Sequence, residues 1–139
     1  MKKIFVMFVL LMAYGCNNEE MNTPTAPVDD TFEPAQATLL STGVMMGNAH
    51  TVSGTATAYD NGGSKTIVLD PFSTQNGPDL KVYLSTDPNA TDYINLGPLK
   101  STMGKQSYPV AGMPDLTAYR FVLIWCEQFS VLFGKAELQ

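Results

Sequence analysis

Two cysteines, one histidine and thirteen carboxylates are the side chains with which this 139-residue chain can do nucleophilic, acid–base or ligand chemistry. Cys126 closes the apolar run Phe121-Val122-Leu123-Ile124-Trp125 and is followed by Glu127 and Gln128. A cysteine nucleophile needs a base within reach and a positive neighbour or helix N-terminus to favour the thiolate. Glu127 works in the opposite direction. Nothing in the spacing brings His50, in Asn48-Ala49-His50-Thr51-Val52, to Cys126. There is no Gly-x-Ser-x-Gly elbow and no glycine-rich phosphate loop. One histidine and one spare cysteine do not make a zinc site. Asp29, Asp30, Asp60, Asp70, Asp79, Asp87 and Asp92 fall at turn positions and lack calcium-loop spacing. Of these, Asp79 in Gly77-Pro78-Asp79-Leu80 has two readings: a turn residue bonding a nearby amide, or a loop carboxylate aimed at a ligand. Met45 and Met46 are soft donors, but neighbours on a strand face opposite ways, so one of them is expected in the core.

The second cysteine is accounted for by its context. Lys2 and Lys3 precede nine apolar residues, Ile4 to Met12, a length that suits a signal sequence and is too short to span a bilayer. Ala13-Tyr14-Gly15-Cys16 follows, with small residues three and one before the cysteine. The segment resembles a bacterial lipoprotein signal peptide with a loose lipobox. The resemblance implies cleavage before Cys16 and lipidation of its thiol; plain secretion with a free Cys16 is the alternative. It places the protein in the cell envelope, lipid-anchored, at the outer membrane on its periplasmic face or at the cell surface. Removing 15 residues from 139 leaves 124, takes away Lys2 and Lys3, and moves the net charge from −5 to −7. An acidic chain without a basic cluster does not suit nucleic acid, whose binding rests on neutralised phosphates. Membrane attachment then rests on acyl chains, not on attraction to anionic lipid. With Cys16 lipidated, Cys126 has no partner within the chain, outside the cytoplasm, where paired cysteines are the norm.

The elements that must position Cys126 and His50 are strands. Residues 16–37 comprise the lipidated cysteine and a Pro-, Thr- and acid-rich linker with too few apolar residues to order itself. Asn17-Asn18-Glu19-Glu20 resembles the acidic surface-export signal of some Gram-negative lipoproteins, though a solvated linker is the plainer reading. Residues 38–139 form one all-β domain, an antiparallel β-sandwich that is Ig-like or barrel-like. Strands are expected at 38–46, 50–59, 65–69, 80–85, 93–96, 106–110, 119–126 and 129–138. Asp60-Asn61-Gly62-Gly63 is a hairpin turn and Asp70-Pro71 a strand stop. Leu80, Val82 and Leu84 share one face, with Lys81, Tyr83 and Ser85 on the other. The last stretch needs a break at Glu127-Gln128, read as a bulge or a bend between sheets, because neither residue suits a two-residue hairpin turn. Trp125, Phe129, Phe133, Tyr83, Tyr93, Tyr108 and Tyr119 are strand aromatics, with core packing as their default role.

Trp125-Cys126-x-x-Phe129-x-Val131-x-Phe133-Gly134 is similar to the C-terminal hallmark of the DM-thirteen domain family, a predicted electron-transfer domain. His50-x-Val52-Ser53-Gly54-Thr55 resembles the family's opening strand. Gly77-Pro78-Asp79-Leu80-Lys81-Val82-Tyr83-Leu84 resembles its central strand. Leu96-Gly97-x-Leu99-Lys100 with Gly104-x-Gln106-x-Tyr108 resembles a later hairpin. The resemblance implies an all-β extracellular domain in which Cys126 works in redox chemistry, as a free thiol or as a ligand to a group such as haem. On that reading Cys126, His50 and Trp125 are the cofactor-binding candidates, and the partner is a redox or cell-surface protein. The alternative is a non-catalytic binding or adhesion module, for a surface partner or glycan, in which Cys126 is a small buried hydrophobe.

Overall fold

A computed structural model describes residues 22–139; the expected signal peptide, Cys16 and the first linker residues lie outside them. The elements are β1 (Val28–Asp29), β2 (Thr38–Val44), β3 (Met46–Gly47), β4 (Val52–Asn61), β5 (Ser64–Thr74), β6 (Leu80–Ser85), β7 (Tyr93–Pro98), β8 (Gly104–Pro109), β9 (Phe121–Cys126) and β10 (Val131–Glu137). One 3-10 turn, Pro34–Gln36, lies between β1 and β2. The strands form two five-stranded sheets, ordered β1-β8-β5-β4-β2 and β3-β10-β9-β6-β7. Pairing is antiparallel except between β1 and β8. The all-β sandwich read from the sequence is the observed architecture.

The core lies between the sheets. Ala56, Ala58, Ile67 and Leu69 of one sheet meet Val82, Leu84, Val122 and Ile124 of the other, all buried. Strand alternation sends Leu80, Val82 and Leu84 inward, as the pattern requires. The opposite face of the second sheet is not bare: Tyr83, Phe121 and Leu123 form a separate buried cluster there, flanked by Trp125 and Leu132. Met45 is buried and Met46 exposed, as their opposite directions demand.

The strand expected at 38–46 divides at Met45 between the two sheets, as β2 and β3. Four further expectations need correction. Asp70-Pro71 does not stop β5, which runs on to Thr74. Ala56 pairs with Leu69 and Gly54 with Phe72, so Asp70 and Pro71 together oppose Thr55 in a bulge. A bulge leaves a residue outside the ladder, which suits a proline that has no N–H to give. The break after Cys126 is neither a bulge nor a crossing between sheets. It is a four-residue hairpin loop, Glu127 to Ser130, joining β9 to β10 with Cys126 opposite Val131. The positive φ that the turn needs falls on Ser130, at 52°, so Glu127 and Gln128 were not obstacles to a hairpin. The stretch 96–108 is not a hairpin: β7 pairs with β6, and β8 with β5 in the other sheet. Between them the chain crosses the sandwich around a buried polar cluster. Tyr108 Oη donates to Gln106 Oε1 at 2.6 Å, and Gln106 Nε2 donates to the Ser101 carbonyl at 2.7 Å.

The linker is the fourth correction. From residue 22 on, it lies along the domain. Asn22 bridges to Pro78, β1 pairs with Gly104 and Lys105, and Ser101 Oγ donates to the Ala26 carbonyl at 2.6 Å. Local composition argued against order, but an existing sheet edge supplies the backbone partners that the segment cannot provide for itself. Asp30 clamps it: Oδ2 accepts the Ser107 N–H at 2.9 Å and lies 2.5 Å from Lys100 Nζ. Burial works against the Asp30 carboxylate, but the Lys100 hydrogen bond and the Ser107 donors outweigh it and hold its pKa below the usual range. A depressed carboxyl contributes stability that is present above its unfolded value, about pH 4, and is lost as pH falls through the folded value. The Ser107 amide resonance is therefore expected to move with a single titration below about pH 4. In Asp30→Asn that step is expected to vanish. Asp30→Ala is expected to cost about 1 kcal/mol, modest because both partners are partly exposed.

Candidate functional site

Cys126 ends β9 on the inward face of its sheet, behind Val122 and Ile124. It is 1% exposed and is the free cysteine of the described residues. Its thiol donates to the Pro78 carbonyl at 3.0 Å, a bond that only the protonated sulfur can make. The Gly77-Pro78-Asp79-Leu80 stretch builds this wall residue by residue. A Cβ on Gly77 would stand 2.5 Å from the Phe133 ring, so only glycine lets that ring close over the site. Pro78 supplies the acceptor and Leu80 enters the core. Asp79 adopts a left-handed conformation, φ 57°, and its carbonyl accepts the Glu127 N–H at 3.1 Å, tying this loop to the β9–β10 hairpin.

His50 reaches the same place from the loop between β3 and β4. Its ring stacks on Phe133 with centroids 3.8 Å apart. Gln75 Oε1 accepts the Thr51 N–H at 3.0 Å and lies 3.3 Å from His50 Nδ1. Because that oxygen can only accept, Nδ1 is the donor of this bond. His50, Gly77, Pro78, Cys126, Phe129 and Phe133 line one cavity of about 260 Å³. The structure thus brings together two residues, 76 positions apart, that the sequence singled out separately.

Two other candidates lie elsewhere. Trp125 follows the alternation of β9 to the opposite face, where it packs in the Tyr83 cluster; it is not a wall of the Cys126 cavity. Asp79 Oδ1 is bonded to Lys81 Nζ, so its carboxylate is engaged in a local ion pair and is not a free ligand group. The stretch missed most plainly is the face that Trp125 occupies. Tyr83 Oη donates to Glu127 Oε1 at 2.6 Å, Asn95 Nδ2 donates to the same oxygen at 3.1 Å, and Tyr83 stacks on Tyr93 with centroids 4.1 Å apart. The odd positions of β6 carried a signal, since a tyrosine between Lys81 and Ser85 on an outer face invites the question of what covers it.

A haem does not fit the cavity. At about 260 Å³ it falls below the roughly 300–1,000 Å³ of sites that enclose drug-sized ligands. The sulfur that would ligate iron is occupied with a backbone carbonyl, under a ring that Gly77 admits at close range. The chemistry on hand is that of a sheltered thiol and an imidazole that line one cavity.

Comparison with known proteins gives one family. Residues 45–138 match the family described as electron transfer DM13. No curated protein and no solved structure matches the chain. The match takes in Met45, His50 and β4, the Gly77 to Leu84 wall and the whole β9–β10 hairpin, and it covers more than half of the sequence. The chain belongs to the DM13 electron-transfer family.

Proposed function

We propose that this protein is an extracytoplasmic lipoprotein, anchored at the outer membrane through acylated Cys16, whose DM13 domain does redox work with Cys126 as a free thiol. One observation carries the redox half: Cys126 and His50, the single histidine of the chain, line one cavity within the family's matched region. The anchor half rests on Lys2, Lys3, the apolar run and the small residues before Cys16.

The reaction class is thiol–disulfide exchange with a small or protein disulfide. The Cys126 sulfur forms a bond to one sulfur of the disulfide, and the S–S bond breaks. The other sulfur leaves as thiolate and takes up the proton that Cys126 gave up. His50, whose side chain lines the same cavity, is the group that can hold that proton between the two. Access runs past Phe129, which lines the cavity from the hairpin loop and is 63% exposed.

The test is a thiol titration of the folded protein with an aromatic disulfide. One equivalent is expected to react without denaturant, and His50→Ala is expected to shift the pH profile of that rate. A thiol that reacts only after unfolding would support the second reading, a binding module, which the near-complete burial of Cys126 in the main core favours. The anchor is tested separately: the mass of membrane-extracted protein is expected to show an acylated N-terminal Cys16, and Cys16→Ala is expected to release the protein from membranes.

A further inference from the structure

Across the sheet from Cys126 lies an aromatic stack that the thiol chemistry does not use. Trp125, Tyr83 and Tyr93 project from β9, β6 and β7 on the outer face of one sheet. Tyr83 and Tyr93 stack with centroids 4.1 Å apart and planes 14° apart; Tyr83 and Trp125 are 6.0 Å and 20° apart. Both separations lie within the range of interacting aromatic pairs or closer. The stack has a direction. Trp125 is the backbone neighbour of Cys126, Tyr83 in the middle is 2% exposed, and Tyr93 at the far end is 44% exposed.

The middle ring has a proton acceptor of its own. Tyr83 Oη donates to Glu127 Oε1 at 2.6 Å, a charge-assisted bond. Asn95 Nδ2, at 3.1 Å from the same oxygen, fixes the carboxylate's position. Lys81 stands 3.7 Å from Glu127 Oε2, but its closer partner is Asp79, which balances its charge. Burial, then the bond to Glu127 and the nearby carboxylate charge, push the Tyr83 phenol far above its ordinary value. The phenol therefore holds its proton more firmly than an exposed tyrosine does.

We propose that Tyr83 is a redox-active tyrosine, which relays single electrons between Trp125 and Tyr93 and hands its phenolic proton to Glu127 as the electron leaves. The proposal rests on the family's electron-transfer reading but not on any reactivity of Cys126. The co-reactant is a strong one-electron oxidant, an oxidised metal centre of a partner protein or a nitrogen- or oxygen-centred radical. It takes one electron from Trp125 or Tyr93, and the oxidised ring takes one from Tyr83. The Tyr83 O–H bond breaks and an O–H bond forms on Glu127. The products are a neutral tyrosyl radical and a neutral carboxylic acid. An oxidised phenol that kept its proton would be a buried cation, which is costly; the short bond to Glu127 removes that cost. Return of one electron and the proton restores the starting pair.

The experiment uses the full chain in detergent and azide radicals generated by pulse radiolysis. These radicals oxidise Trp125, the single tryptophan of the chain. The resulting indolyl radical then takes one electron from a tyrosine and a proton from water. In the wild type its decay is expected to match the growth of a tyrosyl signal. In Tyr83→Phe the transfer is expected to slow by about tenfold or more. In Glu127→Gln, where the bond partner remains but the base is gone, the transfer is expected to slow similarly and to become dependent on buffer base. Tyr119→Phe serves as the control for an unrelated tyrosine. Transfer in Tyr83→Phe at the wild-type rate would overturn the proposal, as would an unchanged rate in Glu127→Gln. All arms are repeated in Cys126→Ala. The same transfer there, alongside a wild-type thiol that titrates only when unfolded, would leave the relay standing and the thiol reading lost; the reverse pattern would do the opposite.

Discussion

Gly54→Ala is expected to destabilise the domain by about 3 kcal/mol or more, although it adds only a methyl group. Gly54 lies in β4 at the bulge where Asp70 and Pro71 oppose Thr55. Its φ of 124° is a conformation that L side chains rarely adopt, and a Cβ there would stand 1.9 Å from the Pro71 carbonyl oxygen. That neighbour is backbone, so it cannot rotate away; either the bulge opens or the β4–β5 pairing shifts. Gly62→Ala is the control. Its φ is also positive, at 67°, but nothing lies within 4 Å of a Cβ. Strain without a clash is expected to cost about 1 kcal/mol. Urea unfolding with an unchanged slope separates the two, since the midpoint then reports stability alone. Equal midpoints for the two variants would show that the Pro71 contact relaxes freely.

Phe133→Ala is expected to cost about 3–5 kcal/mol and to expose the thiol at the same time. The ring is buried, stacks on His50 at 3.8 Å and closes against Gly77. Removing it enlarges the cavity beside Cys126 and takes away the wall that holds the imidazole. Thiol modification is therefore expected to speed up, even at temperatures well below the unfolding transition. Phe133→Leu fills part of the space and is expected to lie between the wild type and alanine in both measures. A large loss of stability with no change in thiol reactivity would mean that Phe133 supports the core without gating the sulfur. In either case the outcome bears on access to Cys126, which the thiol-exchange reading requires.

Much of the architecture is legible along the chain. Leu80, Val82 and Leu84 alternate because one face of β6 is the core, and Gly62-Gly63 closes the β4–β5 hairpin. Three local signals mislead for a shared reason: the outcome of each depends on a partner strand. Pro71 stops an isolated strand but sits comfortably in a bulge. Glu127-Gln128 makes a poor two-residue turn, yet the loop has four residues and places its strained φ on Ser130. Residues 22–37 cannot order themselves, but a sheet edge and the Lys100–Ser107 pocket around Asp30 order them.

The site divides in the same way. By itself the sequence determined an all-β domain and the family motif around Cys126, because these depend on residue type, order and local period. Only the tertiary structure decided that Cys126 faces inward to Pro78 and His50, that Trp125 faces outward to Tyr83, and that Glu127 turns to the Tyr83 phenol. Those pairings join positions far apart in the chain, and they follow from strand order and register, which no local pattern specifies.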